Sequence, residues 1–253
     1  MLSPEVLKQI RGLELKAGHL VTEAMAGNYV SAFKGRGMEF DEVREYVPGD
    51  DIRSIDWNVT ARMRQPFVKV LKEEREQTLM LMVDVSPSQM FGTTGRKKQE
   101  MAAEMAAVLA FLAIRNNDKV GLVVFSDHVE EFIPPKKGRG HVFRIISTVL
   151  THQGSGKTTD INQALQYTMQ MLNRKSLLFV ISDFWAKGFE QQLKMAGRRH
   201  DVVCVRTLDP IEAELPRVGF LALRDLETGE EVIVDSSDRE VGRRFMELVR
   251  KRD

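Results

Sequence analysis

Short apolar runs recur along the middle of the chain, separated by longer stretches with helical spacing. TLMLMVD (78–84), KVGLVVF (119–125), SLLFVIS (176–182) and HDVVCVR (200–206) are rich in Val, Ile and Leu and nearly continuous in apolarity. Such runs are expected of strands in a parallel sheet covered on both faces, since a strand with one wet face alternates. Between them the pattern predicts helices over about 96–116, 139–152, 160–173 and 188–199. The first sets Met101, Met105, Val108, Leu109 and Leu112 at helical spacing and ends at Asn116-Asn117-Asp118. Met101 and Met105, with Met169 and Met171, are read as core or near-core packing. Strand alternating with helix through right-handed crossovers predicts an α/β fold built on a doubly wound, mostly parallel sheet.

Two attachments flank this core. FLALRDLETGEEVIVD (220–235) alternates about Glu227-Thr228-Gly229-Glu230, as a hairpin does about a Gly-bearing turn. A charged amphipathic helix over about 238–251 follows it. Near the start, a helix is predicted from Pro4, placed after Ser3, to Lys16. A polar, Gly-bearing stretch over 35–58 then fits no clean period. The chain thus divides into an N-terminal segment (1–77), an α/β domain (78–210), and a hairpin and helix packed on the core (211–253).

Composition narrows the class. The chain has 253 residues, 43% of them hydrophobic, enough for a buried core. Its net charge of +1 is spread evenly, at −1, +3 and −1 over residues 1–77, 78–185 and 186–253. No segment is a polycation, so binding driven by nucleic-acid phosphates is not expected. A single cysteine, Cys204, forbids an internal disulfide and any thiolate zinc cluster. The longest apolar run, 105–114, is too short for a membrane span, and the opening MLSPEVLKQIRGLEL lacks the pattern of a secretory signal. A soluble, cytoplasmic protein is expected.

In an open α/β sheet, ligands collect beyond the carboxyl ends of the strands. After TLMLMV comes Asp84-Val85-Ser86-Pro87-Ser88, a D-x-S-x-S string, and after SLLFVIS comes Asp183. Between them, ahead of a predicted helix, lies Gly156-Lys157-Thr158-Thr159-Asp160-Ile161. These loops supply carboxylates and hydroxyls without imidazole or thiolate. Such hard oxygen donors suit Mg²⁺ or Mn²⁺, with Ca²⁺ also admissible, and disfavour Zn²⁺. Taken singly, Ser86 and Ser88 also read as turn or cap residues, and Thr159 as a helix cap.

The three elements together resemble the metal-ion-dependent adhesion site of von Willebrand factor A domains. The resemblance implies Asp84, Ser86, Ser88, Thr159 and Asp183 as metal ligands, Asp183 often through water. Thr159 matches better than Thr158, because the family's Thr is commonly followed by Asp or Asn and an apolar residue, here Asp160-Ile161. A second resemblance covers the aperiodic stretch. Gly35-Arg36-Gly37-Met38-Glu39-Phe40, Arg44-Glu45-Tyr46, Pro48-Gly49-Asp50-Asp51-Ile52-Arg53 and Ile55-Asp56-Trp57 look like the signature of the DUF58 family, in which the segment precedes a von Willebrand A-type domain. That resemblance implies work beside a MoxR-type AAA+ ATPase, as an accessory or adaptor protein. Read from the residues themselves, Glu39, Arg44, Asp50, Asp51, Arg53 and Asp56 beside Tyr46 and Trp57 form either an interaction surface or a self-satisfied ion-pair network, and buried charges would demand the latter.

Other motifs carry less. Gly154-Ser155-Gly156-Lys157-Thr158-Thr159 looks like a phosphate-binding loop, but Thr151 stands where that pattern needs its first Gly, and a helix is predicted where it needs a strand. His19, His128, His141, His152 and His200 lack metal spacing and read as surface or packing residues. Arg96-Lys97-Lys98 and Lys136-Lys137-Gly138-Arg139 read as solvated loops, or as a docking patch for an acidic partner. No nucleophile, phosphate cradle or general base accompanies Asp84 and Asp183. The expected function is therefore non-enzymatic: a metal-dependent protein-interaction module in which Mg²⁺ keeps a position for a partner's Glu or Asp. The rivals are a Mg²⁺-dependent phosphohydrolase-type enzyme and a scaffold whose metal site is vestigial.

Overall fold

The computed structural model describes residues 8, 10–14, 37–74, 77–93 and 95–250, with backbone alone described over 37–41 and 70–74. Most of the helix predicted from Pro4 to Lys16 lies outside the described residues, although 10–14 are helical and Ile10 is buried in the core. An antiparallel pair, β1 (Gly37–Glu45) and β2 (Phe67–Glu74), flanks α1 (Trp57–Met63). The central sheet comprises β3 (Thr78–Asp84), β4 (Lys119–Phe125), β5 (Val129–Lys136), β6 (Leu177–Ser182) and β7 (Asp201–Arg206), in the order β5-β4-β3-β6-β7. All neighbours are parallel except β5, which returns antiparallel to β4. The remaining elements are α2 (Lys98–Arg115), α3 (Arg139–Thr151), α4 (Ile161–Met171), α5 (Glu190–Arg199), a single turn α6 (Pro210–Ala213), the hairpin β8 (Phe220–Arg224) and β9 (Glu231–Asp235), and α7 (Arg239–Arg250). This is the predicted α/β class, a doubly wound and mostly parallel sheet with a C-terminal hairpin.

Alternation along the strands divides the core in two. Leu79, Leu81 and Val83 of β3, with Leu122, Val124, Phe179 and Ile181, face α2 and α3. Met80, Met82, Val123, Phe125, Leu178 and Val180 face α4 and α5. With helices on both faces, the three inner strands β3, β4 and β6 have no wet side, which explains their nearly unbroken apolarity.

Two expectations need correction, at the methionines and at β7. In α2 the buried stripe is Ala102, Ala103, Ala106, Ala107, Ala110 and Ala113 with Leu109 and Leu112, whereas Met105 is 39% exposed. Met171 is exposed as well. Alanine lets α2 lie close to the sheet and to α3, and long methionines would hold it off. Strand β7 is not covered on both faces: it forms the sheet edge, and Val203 and Cys204 are exposed. Strand β5 (VEEFIPPK) fits no strand pattern because only Ile133 is buried and Pro134-Pro135 interrupt it; an edge strand tolerates both features. The hairpin leaves Phe220, Val232 and Ile233 exposed, and its strands pack chiefly on each other.

The aperiodic N-terminal stretch is a strand, a turn and a short helix held by its own charges. Arg44 donates to both Asp50 oxygens at 2.7 Å, Asp51 caps the turn over Ile52–Ser54, and Asp56 caps α1 while lying 3.5 Å from Lys69. These pairs are self-satisfied but lie at the surface, and Trp57 is exposed. The side chain of Glu39 lies outside those described.

The alanine stripe generates a test. Ala106→Leu should cost about 1–3 kcal/mol by overpacking, whereas Met105→Ala should stay within about 0.5 kcal/mol, both read from urea unfolding at pH 7.

Candidate functional site

Asp84 ends the central strand, one position beyond the Val83–Ile181 pair, which brings it against Ser182 of β6. The Ser182 hydroxyl donates to one Asp84 oxygen at 2.5 Å, and the backbone N–H of Ser86 donates to the other at 2.9 Å. Asp84 is fully buried. Burial pushes its carboxyl up to about 6, against the opposing hydrogen bonds from Ser182 and Ser86, and the negative charge of Asp183 adds to the rise.

The hydroxyls predicted as ligands are not spent on capping. Ser86 precedes a 3₁₀ turn (Pro87–Met90), yet its side chain makes no cap bond; its Oγ lies 3.1 Å from the Ser88 Oγ. Asp160, rather than Thr159, caps α4 by accepting from Gln163 N–H. Thr159 is half-buried and its hydroxyl donates to Glu227 Oε1 at 3.0 Å, while Thr158 is exposed.

The loop carrying Thr159 is fastened by Glu130 on β5. Glu130 accepts from the Ser126 hydroxyl, from His152 Nε2 at 2.9 Å, and from Ser155 and Gly156 N–H at 3.0–3.4 Å. Burial alone would raise the Glu130 carboxyl, but these hydrogen bonds outweigh it and hold the group down at about 2. Asp127 accepts from Lys157 N–H. The amides that a phosphate-binding loop would offer to a nucleotide are therefore already taken by carboxylates. Glycine is required for a different reason here. A Cβ on Gly154 would stand 2.2 Å from the Val85 carbonyl, and one on Gly156 would stand 2.2 Å from Ser126 Oγ.

Asp183 follows β6 and accepts from Trp185 N–H at 3.1 Å, across Phe184, whose φ of 58° is strained for an aromatic residue. Its second oxygen accepts from Lys98 Nζ at 2.7 Å, and Lys98 also donates to Glu212 at 2.7 Å. Lys98 has no exposure. The expectation of a solvated basic cluster thus fails at Lys98, because the first turn of α2 directs its side chain inward between two carboxylates.

The donors fit a hard divalent cation. Hydroxyl and carboxylate oxygens are the donors such an ion takes, and here the Ser86–Ser88 and Thr159–Glu227 oxygens are joined by hydrogen bonds of 3.1 and 3.0 Å. Asp183 already has Lys98 as its cation, whereas the buried Asp84 is held by hydroxyl and amide donors alone. Among the described residues no three acidic, histidine or cysteine side chains close on one point, so a cation here would rely on hydroxyls and water. Burial raises the Glu227 carboxyl against its bond from Thr159, and the charges of Asp183 and Asp225 push the same way.

Sequence reasoning missed Ser182, Lys98, Glu130 and Glu227. Ser182 was accessible, since parallel register sets the polar residue before Asp183 opposite Asp84. The partners of Lys98, Glu130 and Glu227 come from 85, 114, 22 and 68 residues away, and no local spacing marks them.

With a doubly wound domain carrying hydroxyls and carboxylates at its strand ends, comparison with known proteins places the chain. The model of the family described as "Protein of unknown function DUF58" matches residues 42–253, and the chain belongs to that family. Uncharacterized proteins of Mycobacterium tuberculosis and Mycobacterium bovis are 31% identical over 229 residues, covering 89% of this chain and 72% of theirs. Among solved structures, the conserved hypothetical protein BatB from Bacteroides thetaiotaomicron is similar with a TM-score of 0.49 and 18% identity, over 69% of this chain and 87% of that one. The VWA domain of SpRpn10 is similar with a TM-score of 0.37 and 10% identity, over 53% and 89%. No described helix is long and apolar enough to cross a membrane.

Two tests follow from the charge placement. Glu130 is held below its ordinary value, so its stabilisation is complete above about pH 4.5 and fades as pH falls toward about 2. Glu130→Gln should unfold at lower urea at pH 7, by about 1–3 kcal/mol, and the gap to wild type should shrink through that acid window. Lys98→Met should cost about 3–5 kcal/mol by leaving Asp183 and Glu212 unpaired, measured by the same unfolding series.

Proposed function

We propose that this chain is a non-enzymatic, metal-dependent protein-interaction module that works as an accessory or adaptor to a MoxR-type AAA+ ATPase. Asp84, Ser86, Ser88 and Thr159 would hold Mg²⁺, with Asp183 acting through water. The observation that carries the reading is that the Ser86 and Ser88 hydroxyls beside the buried Asp84, and the Thr159 hydroxyl on the loop before α4, are left out of the capping bonds that would otherwise account for them. A divalent cation bound there would supply a hard positive centre for the Glu or Asp of a partner protein. The chain's residues do the rest. Ser182 and the Ser86 N–H orient Asp84, and Glu130 and Asp127 fix the loop that presents Thr159. The ATPase partnership comes from the family resemblance alone.

One observation favours a second reading, a scaffold that needs no metal: the Lys98 ammonium already neutralises Asp183. Affinity capture with wild type and Asp84→Ala, each in Mg²⁺ and in EDTA, separates the two. The interaction module predicts that a MoxR-type ATPase or its client is retained by wild type in Mg²⁺ and lost in EDTA and in Asp84→Ala. Equal capture in all four arms assigns the scaffold, and turnover by purified protein that vanishes in Asp84→Ala assigns an enzyme.

A further inference from the structure

We propose that Glu227, at the tip of the β8–β9 hairpin, is an intramolecular acidic ligand of the cation site, holding the place at Thr159 that a partner carboxylate would take. This rests on the metal-dependent reading above and adds its regulation. The site is closed in the resting chain by the chain's own carboxylate, and a partner must displace it.

The tip is built to present this side chain. Asp225 Oδ1 accepts from Glu227 N–H at 2.8 Å and from Thr228 N–H at 3.1 Å. Asp225 N–H donates to the Glu230 carbonyl, Gly229 N–H donates to the Asp225 carbonyl, and Gly229 has a φ of 77° that a side chain would strain. Glu227 thus sits on a rigid turn, and its oxygen meets the Thr159 hydroxyl 68 residues away in the chain. The contact is a hydrogen bond of 3.0 Å, and it sets an anionic oxygen directly against the hydroxyl proposed as a ligand.

The attachment of the hairpin fits a displaceable element. The hairpin is anchored at its base, where Glu212 of α6 meets Lys98, Asp209 accepts from Thr93, and the buried Ser236 accepts from Val218 N–H and donates to the Gly219 carbonyl. Beyond α6, 216–218 are exposed and Gly219 takes a φ of 89° before β8 begins. Phe220, Val232 and Ile233 are exposed, Leu221, Leu223 and Val234 are only half-buried, and no apolar residue of the hairpin is fully buried. A contact kept by one carboxylate on a lightly packed arm is one that a competing carboxylate can replace.

The test uses the full chain with Mn²⁺ as the probe, read by electron paramagnetic resonance of the free ion and by water-proton relaxation of the bound ion. Glu227→Gln should weaken Mn²⁺ binding by about tenfold, since an anionic ligand is lost. It should also raise relaxation per bound ion, as water fills the vacated position. Added acetate should then lower the relaxation of Glu227→Gln but leave wild type unchanged. Glu230→Gln, in the same turn, should match wild type, and circular dichroism should show all variants folded. If Glu227→Gln equals wild type in affinity and relaxation while Asp84→Ala loses Mn²⁺, Glu227 is no ligand and the cation site stands. If Glu230→Gln weakens binding as much, the effect is the turn's net charge and the proposal fails. Wild type that binds no Mn²⁺, or binding indifferent to Asp84→Ala, overturns this inference together with the metal-dependent reading.

Discussion

Lys98 carries an ammonium group into a place with no exposure, and a buried charge of that kind persists only with anionic partners and hydrogen bonds around it. Asp183 and Glu212 supply them, each at 2.7 Å. The three residues belong to the first turn of α2, the end of β6 and the turn α6, so one ion triad sets the distances among elements that the apolar core alone would leave free to slide. One ammonium between two carboxylates leaves the triad with a negative charge, which adds to that of Asp84 at the strand ends. The site's electrostatic character follows from that division of one cation between two carboxylates.

Glu130 performs the complementary task on the other side of the site. It gathers the loop after α3 by its amides, while the missing side chains of Gly154 and Gly156 let that loop pass against Val85 and Ser126. The glycines and the lysine that suggest a nucleotide cradle in one dimension are, in three, a strap tightened over the ends of β3 and β4. The protein's own anion occupies the position of the supposed phosphate.

The fold was largely legible because its signal is repeated: four apolar strands and four helices, each long enough to show a period. Strand β5 was not, since an edge strand with two prolines buries a single side chain and leaves no alternation. The alanine stripe of α2 was read as methionine packing because hydrophobic weight favours the larger residue, whereas close approach to the sheet favours the smaller. At the site, Asp84, Ser86, Ser88, Thr159 and Asp183 could be named because each stands beside a strand or helix boundary. Ser182 follows from register once the sheet is drawn. Lys98 and Glu227 could not be named, since their meaning lies in partners that only the folded chain brings near.

The hydrogen bond from Ser182 to Asp84 spans 98 residues. β3 lies at the centre of the sheet, yet β6, its neighbour on that side, is made only after five further helices and strands of the domain. A ribosome that has just released Asp84-Val85-Ser86-Pro87-Ser88 has produced the whole string and none of the site. Long-range parallel pairing forms late, after the entropy of closing the intervening chain has been overcome. The hydroxyls and carboxylates therefore converge only when the last strands have docked, and nascent or truncated chains expose them apart. The arrangement at the strand ends exists only once the chain has been made through Asp183 and β6 has paired with β3.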